Sequence, residues 1–72
     1  MSPALPVVSG PTVVKALEGA GFVRVSQRGS HVKLRRDQMT VIVPLHRELA
    51  PGTLRSVIRQ ANLTVEEFIE LL

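Results

Sequence analysis

Residues Phe22 to Leu45, with the sequence FVRVSQRGSHVKLRRDQMTVIVPL, decide the fold because they hold three short runs of β-forming residues. Tight turns are predicted between the runs at Arg28-Gly29, where Gly29 accepts a positive φ angle, and at Asp37-Gln38, where aspartate is a favoured turn residue. Short turns join neighbouring strands in an antiparallel arrangement. The stretch therefore predicts a three-stranded antiparallel meander, with strands over residues 22–27, 30–36 and 39–45.

The middle strand shows the clearest alternation of apolar and polar residues in the chain. Val32 and Leu34 point towards one face, and the opposite face carries His31, Lys33 and Arg35. We therefore expect helices to cover the apolar face of the sheet, and the face with the histidine and the two cations to stay open to solvent.

The two outer strands have less regular patterns. The first alternates Val23 and Val25 with Arg24 and Ser26, so we expect its two valines on one face. The third is an almost unbroken apolar run, which fits either a strand covered on much of both faces or an edge strand that ends at Pro44.

Helical patterns flank the three strands. Ser9 is a predicted N-cap for a helix over residues 11–20, and Gly21 suits the left-handed position that follows a helix. Pro51 opens a second helix, and Thr64 begins a short last helix through the capping-box sequence Thr-Val-Glu-Glu. The sequence therefore predicts an α+β, two-layer sandwich: helix, three-stranded antiparallel meander, helix and short C-terminal helix.

Length and composition indicate one small domain. Residues 9–72 are expected to form it, after a flexible lead-in over residues 1–8 that contains two prolines and shows no periodicity. The chain has no cysteine, which excludes disulfides and thiolate metal sites. No apolar run is long enough to span a membrane, and the first residues lack the layout of a signal peptide, so we expect a cytoplasmic protein.

Positive charge is concentrated in the middle of the chain. The formal net charge is +3, and residues 22–47 contain six cations but only one acid, Asp37. The last nine residues, by contrast, carry three glutamates. This asymmetry fits one face built to bind a polyanion, and it fits equally a solvated surface that happens to be basic.

Few residues offer reactive groups. The chain has no Cys, Tyr or Trp, its six acids are scattered, and no His spacing is typical of a metal site, so we expect neither metal nor cofactor. Histidine titrates near neutral pH and can take a proton from a ribose 2′-hydroxyl or give one to a leaving oxygen. His31 is the stronger candidate because it shares its predicted face with Lys33 and Arg35, which would stabilise charge on a phosphate. An exposed histidine without any chemical role accounts for the same pattern.

His46 is the second histidine and ends the third predicted strand. Antiparallel pairing places the end of that strand beside the start of the middle strand, where His31 lies. At His46 we expect contact with RNA rather than catalysis, and a loop histidine hydrogen-bonded to the backbone is the simpler alternative.

Several motifs together resemble the HicA toxin family, and they cover nearly the whole chain after residue 8. The Gly-Ser-His element is weak by itself, but it is specific in combination with Pro-Gly-Thr-Leu at this distance in so small a chain. The matching segments are Ser9-Gly10, Leu17…Gly21-Phe22, Gln27-Arg28-Gly29-Ser30-His31, Val43-Pro44-Leu45-His46, residues 48–61 with Pro51-Gly52-Thr53-Leu54, and Leu63-Thr64…Glu67-Phe68.

This resemblance implies a fold similar to a double-stranded RNA-binding domain (dsRBD-like) and a metal-independent endoribonuclease activity. Members of the family are mRNA interferases that inhibit translation, and their catalytic strand histidine matches His31. The resemblance also implies an mRNA substrate and a HicB-like antitoxin as partner, and we expect the free toxin to be a monomer. The RNA contacts expected under this interpretation are Arg24, Arg28, Ser30, Lys33, Arg35 and His46.

Two other functions fit the same residues. A non-catalytic RNA-binding module would block translation by occupying the message, and a protein-interaction domain would use its basic face only to meet an acidic antitoxin. Replacing His31 by Ala separates an enzyme from a binder, because a binder relies on Lys and Arg. RNA binding that weakens steeply with salt would argue against the protein-interaction domain.

Overall fold

The structure, a computed structural model, describes residues 4–72, so residues 1–3 of the predicted lead-in lie outside the described residues. The predicted α+β order of a helix, an antiparallel meander and two further helices is confirmed, and each strand bound lies within one residue of its prediction. The elements are α1 (Gly10–Gly19), β1 (Val23–Arg28), β2 (His31–Arg36), β3 (Met39–Pro44), α2 (Pro51–Gln60) and α3 (Val65–Glu70).

One hydrophobic core lies between the sheet and the helices. Val32 and Leu34 of β2 are fully buried while their neighbours on that strand are exposed, so the predicted alternation is confirmed. Burial of one such side chain stabilises a fold by about 1.5–3 kcal/mol. The fully buried side chains of the core are Val13, Val14, Leu17, Val32, Leu34, Val41, Val43, Leu54, Val57 and Phe68.

The expectation of a simple alternation in β1 is wrong. The pairing of β1 with β2 shifts between Arg24 and Ser26, so a β-bulge places Val25 outside the regular ladder. Val23 and Val25 are 63% and 50% exposed, and every other residue of β1 is exposed as well. A bulge adds one residue to one strand, and it therefore reverses which side chains face the core on either side of it.

Local backbone signals in the sequence act as predicted. Gly29 has φ +57° and Gly21 has φ +96°, values in the left-handed region that glycine adopts without steric cost. The Ser9 hydroxyl caps α1 by accepting from Thr12 N–H, and Thr64 begins α3 through the complete capping box. These caps and turns hold the ends of the elements at their predicted positions.

The described part of the lead-in packs onto the domain. Leu5 and Val8 pack against the core, whereas the side chain of Val7 is 78% exposed. The Val8 carbonyl accepts a hydrogen bond from Leu49 N–H at 2.9 Å. Val8 therefore ties the segment before α1 to the loop before α2.

The beginning of α1 lies directly against the end of β3. Gly10 is buried, and its N–H donates to the His46 carbonyl at 2.8 Å. A Cβ atom at Gly10 would overlap the Pro44 carbonyl oxygen and lie 2.8 Å from Leu45 Cα. Because both neighbours are backbone atoms, they cannot yield without displacing the end of β3, which pairs with the His31 end of β2.

We expect Gly10→Ala to lower the free energy of unfolding by about 1–3 kcal/mol, because the added methyl group forces α1 away from β3. Gly19→Ala is the matched control in the same helix, since a Cβ there meets no atom within 4 Å. That control is expected to be neutral or stabilising, because alanine favours helix over glycine. Urea denaturation measures both variants, and equal effects would contradict the close approach at Gly10.

Candidate functional site

The register of the sheet arranges the open face in three rows that run across the strands. Directly paired residues of neighbouring strands share a face, and consecutive rows lie two residues, or about 6.6 Å, apart along β2. The rows are Arg28–His31–Pro44, Ser26–Lys33–Ile42 and Val23–Arg35–Thr40. We call them the histidine row, the lysine row and the arginine row.

A surface depression of about 300 Å³ lies over the first two rows. Its lining combines a histidine, two cations, a hydroxyl and an aliphatic side chain: Ser26, Arg28, His31, Lys33 and Ile42. A volume of this size is at the lower end of ordinary small-ligand sites. The depression therefore suits a group of about the size of one nucleotide, with the histidine and both cations within its wall.

The backbone at His31 is held on both sides. His31 is the first residue of β2 and follows the turn at Gly29 and Ser30. The Gln27 side-chain amide donates to the Gly29 carbonyl at 3.0 Å, and Leu45 N–H donates to the Ser30 carbonyl at 2.6 Å. The exposed side chain of His31 therefore projects from a backbone that is held by hydrogen bonds from β1 and from the residue that follows β3.

Alternation along the strands divides the basic residues into two sets. Arg28, Lys33 and Arg35 lie on the open face, one in each row. Arg24 pairs with Leu34 and so lies on the helix side, where its Nε is 3.4 Å from a Glu18 carboxylate oxygen. Such an exposed pair contributes at most about 1 kcal/mol, but it shows where the Arg24 side chain is directed.

Arg36 also belongs to the helix side. Its Nη1 donates to the Ala20 carbonyl at the end of α1 at 2.8 Å. Its guanidinium carbon lies 5.9 Å from the centre of the buried Phe22 ring, within the range of a cation–π contact. Arg36 therefore fastens the end of β2 to the end of α1 and is turned away from the depression.

The sequence of the chain matches a known protein family. A family model described as HicA toxin of bacterial toxin–antitoxin matches residues 10–63. The chain belongs to the HicA toxin family. The match runs from the first residue of α1 past the end of α2 and so includes all three rows of the open face. A search of curated proteins found no match.

Membership of the HicA toxin family makes the chain the toxin of a toxin–antitoxin pair, with a cognate antitoxin as its partner. The family model itself assigns no role to an individual side chain. The roles of the open-face residues are therefore inferred from their geometry.

The structure brings most of the predicted site residues of this HicA-family chain to one face of the sheet, but not all of them. His31, Arg28, Lys33 and Arg35 share the open face, and Ser30 lies exposed in the turn next to His31. Arg24 lies on the opposite face, as described above. His46 is exposed two residues beyond Pro44, and its carbonyl is the acceptor for Gly10 at the start of α1.

Three residues that contribute to the site were not identified from the sequence: Ser26, Gln27 and Ile42. Ile42 lies between the buried Val41 and Val43 of β3, so alternation along the strand would have predicted its position on the open face. Ser26 was also predictable, because it lies two residues before Arg28 on the same side of the bulge and therefore shares its face. Gln27 acts through a side-chain bond to the turn, for which the sequence carries no signal.

Two kinds of feature are absent from residues 4–72. No group of three His, Cys, Asp or Glu residues lies close enough together to hold a metal ion. None of the helices in that range has the length and hydropathy needed to cross a bilayer.

We expect Arg36→Met to lower the free energy of unfolding by about 1 kcal/mol, because it removes the bond to the Ala20 carbonyl and the contact with Phe22. Arg35→Met, at the adjacent residue on the open face, is the matched control and should change it by less than about 0.5 kcal/mol. Urea denaturation of both variants measures the difference. A larger loss at Arg35 would contradict the division of the basic residues into two sets.

Proposed function

We propose that this toxin is an endoribonuclease that cuts mRNA in the cytoplasm and so inhibits translation, with His31 as a general acid or base. The observation that carries the proposal is the position of His31, which is exposed at a depression that Arg28 and Lys33 also line. Family membership supports the role as a toxin, and the residues of the depression are of the types that RNA cleavage requires. An mRNA interferase activity is thus the function that the site supports best.

The proposed reaction uses the 2′-hydroxyl of the RNA as the nucleophile. The bond between O2′ and phosphorus forms while the bond between phosphorus and O5′ breaks, so the 2′-hydroxyl loses a proton and the 5′ oxygen gains one. His31 performs one of these two transfers, and solvent water performs the other. The products are a 2′,3′-cyclic phosphate and a free 5′-hydroxyl.

Negative charge develops on the phosphate oxygens during this step. Arg28 is paired directly with His31, and Lys33 lies one row further along β2. Fixed cations that surround the position where charge develops lower the barrier, because they need no reorganisation during the reaction. One histidine, the open-face cations and solvent water together supply what this step needs, and we therefore propose a metal-independent reaction.

The proposed partner is a HicB-type antitoxin, and the proposed state of the free toxin is a monomer. The open face combines three cations with exposed Val23 and Ile42. An acidic partner with an apolar centre would match this surface and cover the depression at the same time. Inhibition of the toxin then requires no change in its fold.

Cleavage of a long mRNA by the purified protein in EDTA tests the proposal. We expect the wild type to cut, and His31→Ala to lose at least about a hundredfold in rate, because proton transfer by a placed side chain contributes that much or more. RNA affinity of His31→Ala is expected to stay within about twofold, since Arg28 and Lys33 provide the binding. Mapping of the new 5′ ends by sequencing measures the rate at each site.

A substrate with a single 2′-deoxy nucleotide at a mapped site is the chemical control, and it should resist cleavage at that position only. If the wild type binds RNA but never cuts it, the protein is an RNA-binding module and the catalytic assignment fails. If His31→Ala cuts as fast as the wild type, a different residue carries the chemistry.

The salt dependence of RNA binding tests the open-face cations separately. Each cation that neutralises a phosphate of a single strand contributes about 0.7 to the slope of log affinity against log salt. We expect Arg28→Gln and Lys33→Gln each to reduce the slope by about this amount. Arg24→Gln makes the same charge change on the opposite face and should leave the slope unchanged, whereas a reduction would support the sequence-based expectation that Arg24 binds RNA.

A further inference from the structure

We infer that the RNA lies along β2 as an unpaired strand, with consecutive phosphates over the histidine, lysine and arginine rows and a base against Ile42. The inference rests on the proposed function, which places the reacting phosphate at His31. It assigns the substrate class, single-stranded RNA, and adds Ile42 as a residue that contacts the substrate.

The cations of the open face are spaced like a track for a sugar–phosphate backbone. Each row holds one cation, and the rows repeat at about 6.6 Å along β2. One sugar–phosphate unit of an extended strand covers a similar distance, and single-strand-binding surfaces use such tracks of positive charge. A strand parallel to β2 therefore places one phosphate at each of Arg28, Lys33 and Arg35.

Apolar side chains flank this track. Ile42 is 37% exposed on the β3 side of Lys33, and Val23 is 63% exposed on the β1 side of Arg35. Such surfaces gain from contact with the faces of bases, which a duplex hides within its stack. Both phenylalanines of the chain are buried, so an aliphatic residue must supply the contact that aromatic rings supply elsewhere.

The geometry of the proposed reaction points the same way. The 2′ oxygen must attack phosphorus from the side opposite the 5′ oxygen. In a regular A-form duplex the 2′ oxygen, the phosphorus and the 5′ oxygen are not collinear. An unpaired linkage can rotate until the three atoms are in line. Attack by the 2′-hydroxyl therefore favours an unpaired segment of RNA as the substrate on the open sheet face.

Binding of a labelled oligouridine of about 12 nucleotides, alone and annealed to oligoadenosine, tests the inference without cleavage when His31→Ala is used. We expect the unpaired probe to bind at least about tenfold more tightly than the duplex. Ile42→Thr should weaken binding of the unpaired probe about threefold or more, while Ile69→Thr is the matched control on α3. Ile42 and Ile69 have nearly equal exposure, 37% and 36%, and both changes keep a β-branched side chain.

Cleavage of an oligonucleotide copied from a mapped site gives the second readout. Ile42→Thr and Arg35→Met should each raise KM about threefold or more and leave kcat within about twofold, because they touch the RNA beside the reacting phosphate. Arg59→Met on α2 is the matched control for the charge change. A purely structural effect would instead appear as a loss of folded protein in urea denaturation.

The outcomes separate this inference from the proposed function. Equal binding of duplex and unpaired probe, or equal effects of Ile42→Thr and Ile69→Thr, overturns the inference and leaves His31 catalysis intact. Preferred binding of the unpaired probe with loss at Ile42→Thr supports the inference even if the wild type cuts no RNA, in which case only the proposed function fails.

Discussion

The alternation of β2 is the constraint on which the rest of the structure depends. Val32 and Leu34 are fully buried beneath the helices, and this burial turns the intervening side chains outwards. A shift of the strand by one residue would expose the valine and the leucine and place His31 and Lys33 in the core. The free energy gained by burying two aliphatic side chains therefore also determines which face carries the candidate site.

Contacts from the helices hold the β3 edge of the sheet in place. Ile42 N–H, on the outer edge of β3, donates to the Gln60 Oε1 atom of α2 at 3.0 Å, so a side chain satisfies a donor that an edge strand leaves unpaired. Gln60 in turn donates to the Ser56 hydroxyl one turn earlier in α2. Together with the approach of α1 at Gly10, these contacts anchor β3, and β3 anchors β2.

Local patterns predicted most of the fold because the signals for its elements act within a few residues. Ser9 and Thr64 each cap a helix through a bond three residues ahead, and Gly29 meets the backbone requirement of its own turn. The face of Arg24 was not predictable in this way, since it depends on a bulge. Whether a strand bulges is decided by its pairing partner and by the surface beneath it, and neither is visible in a short window of sequence.

Unequal anchoring of the two outer strands has a consequence for the stability of the site. All of β1 is exposed, yet it supplies Ser26 and Arg28 to the depression. Backbone hydrogen bonds to β2 hold it in place with little buried apolar area, and segments of this kind open at a lower free energy than the core. We therefore expect β1, which forms one wall of the depression, to detach at a lower temperature than the helices separate from β2 and β3.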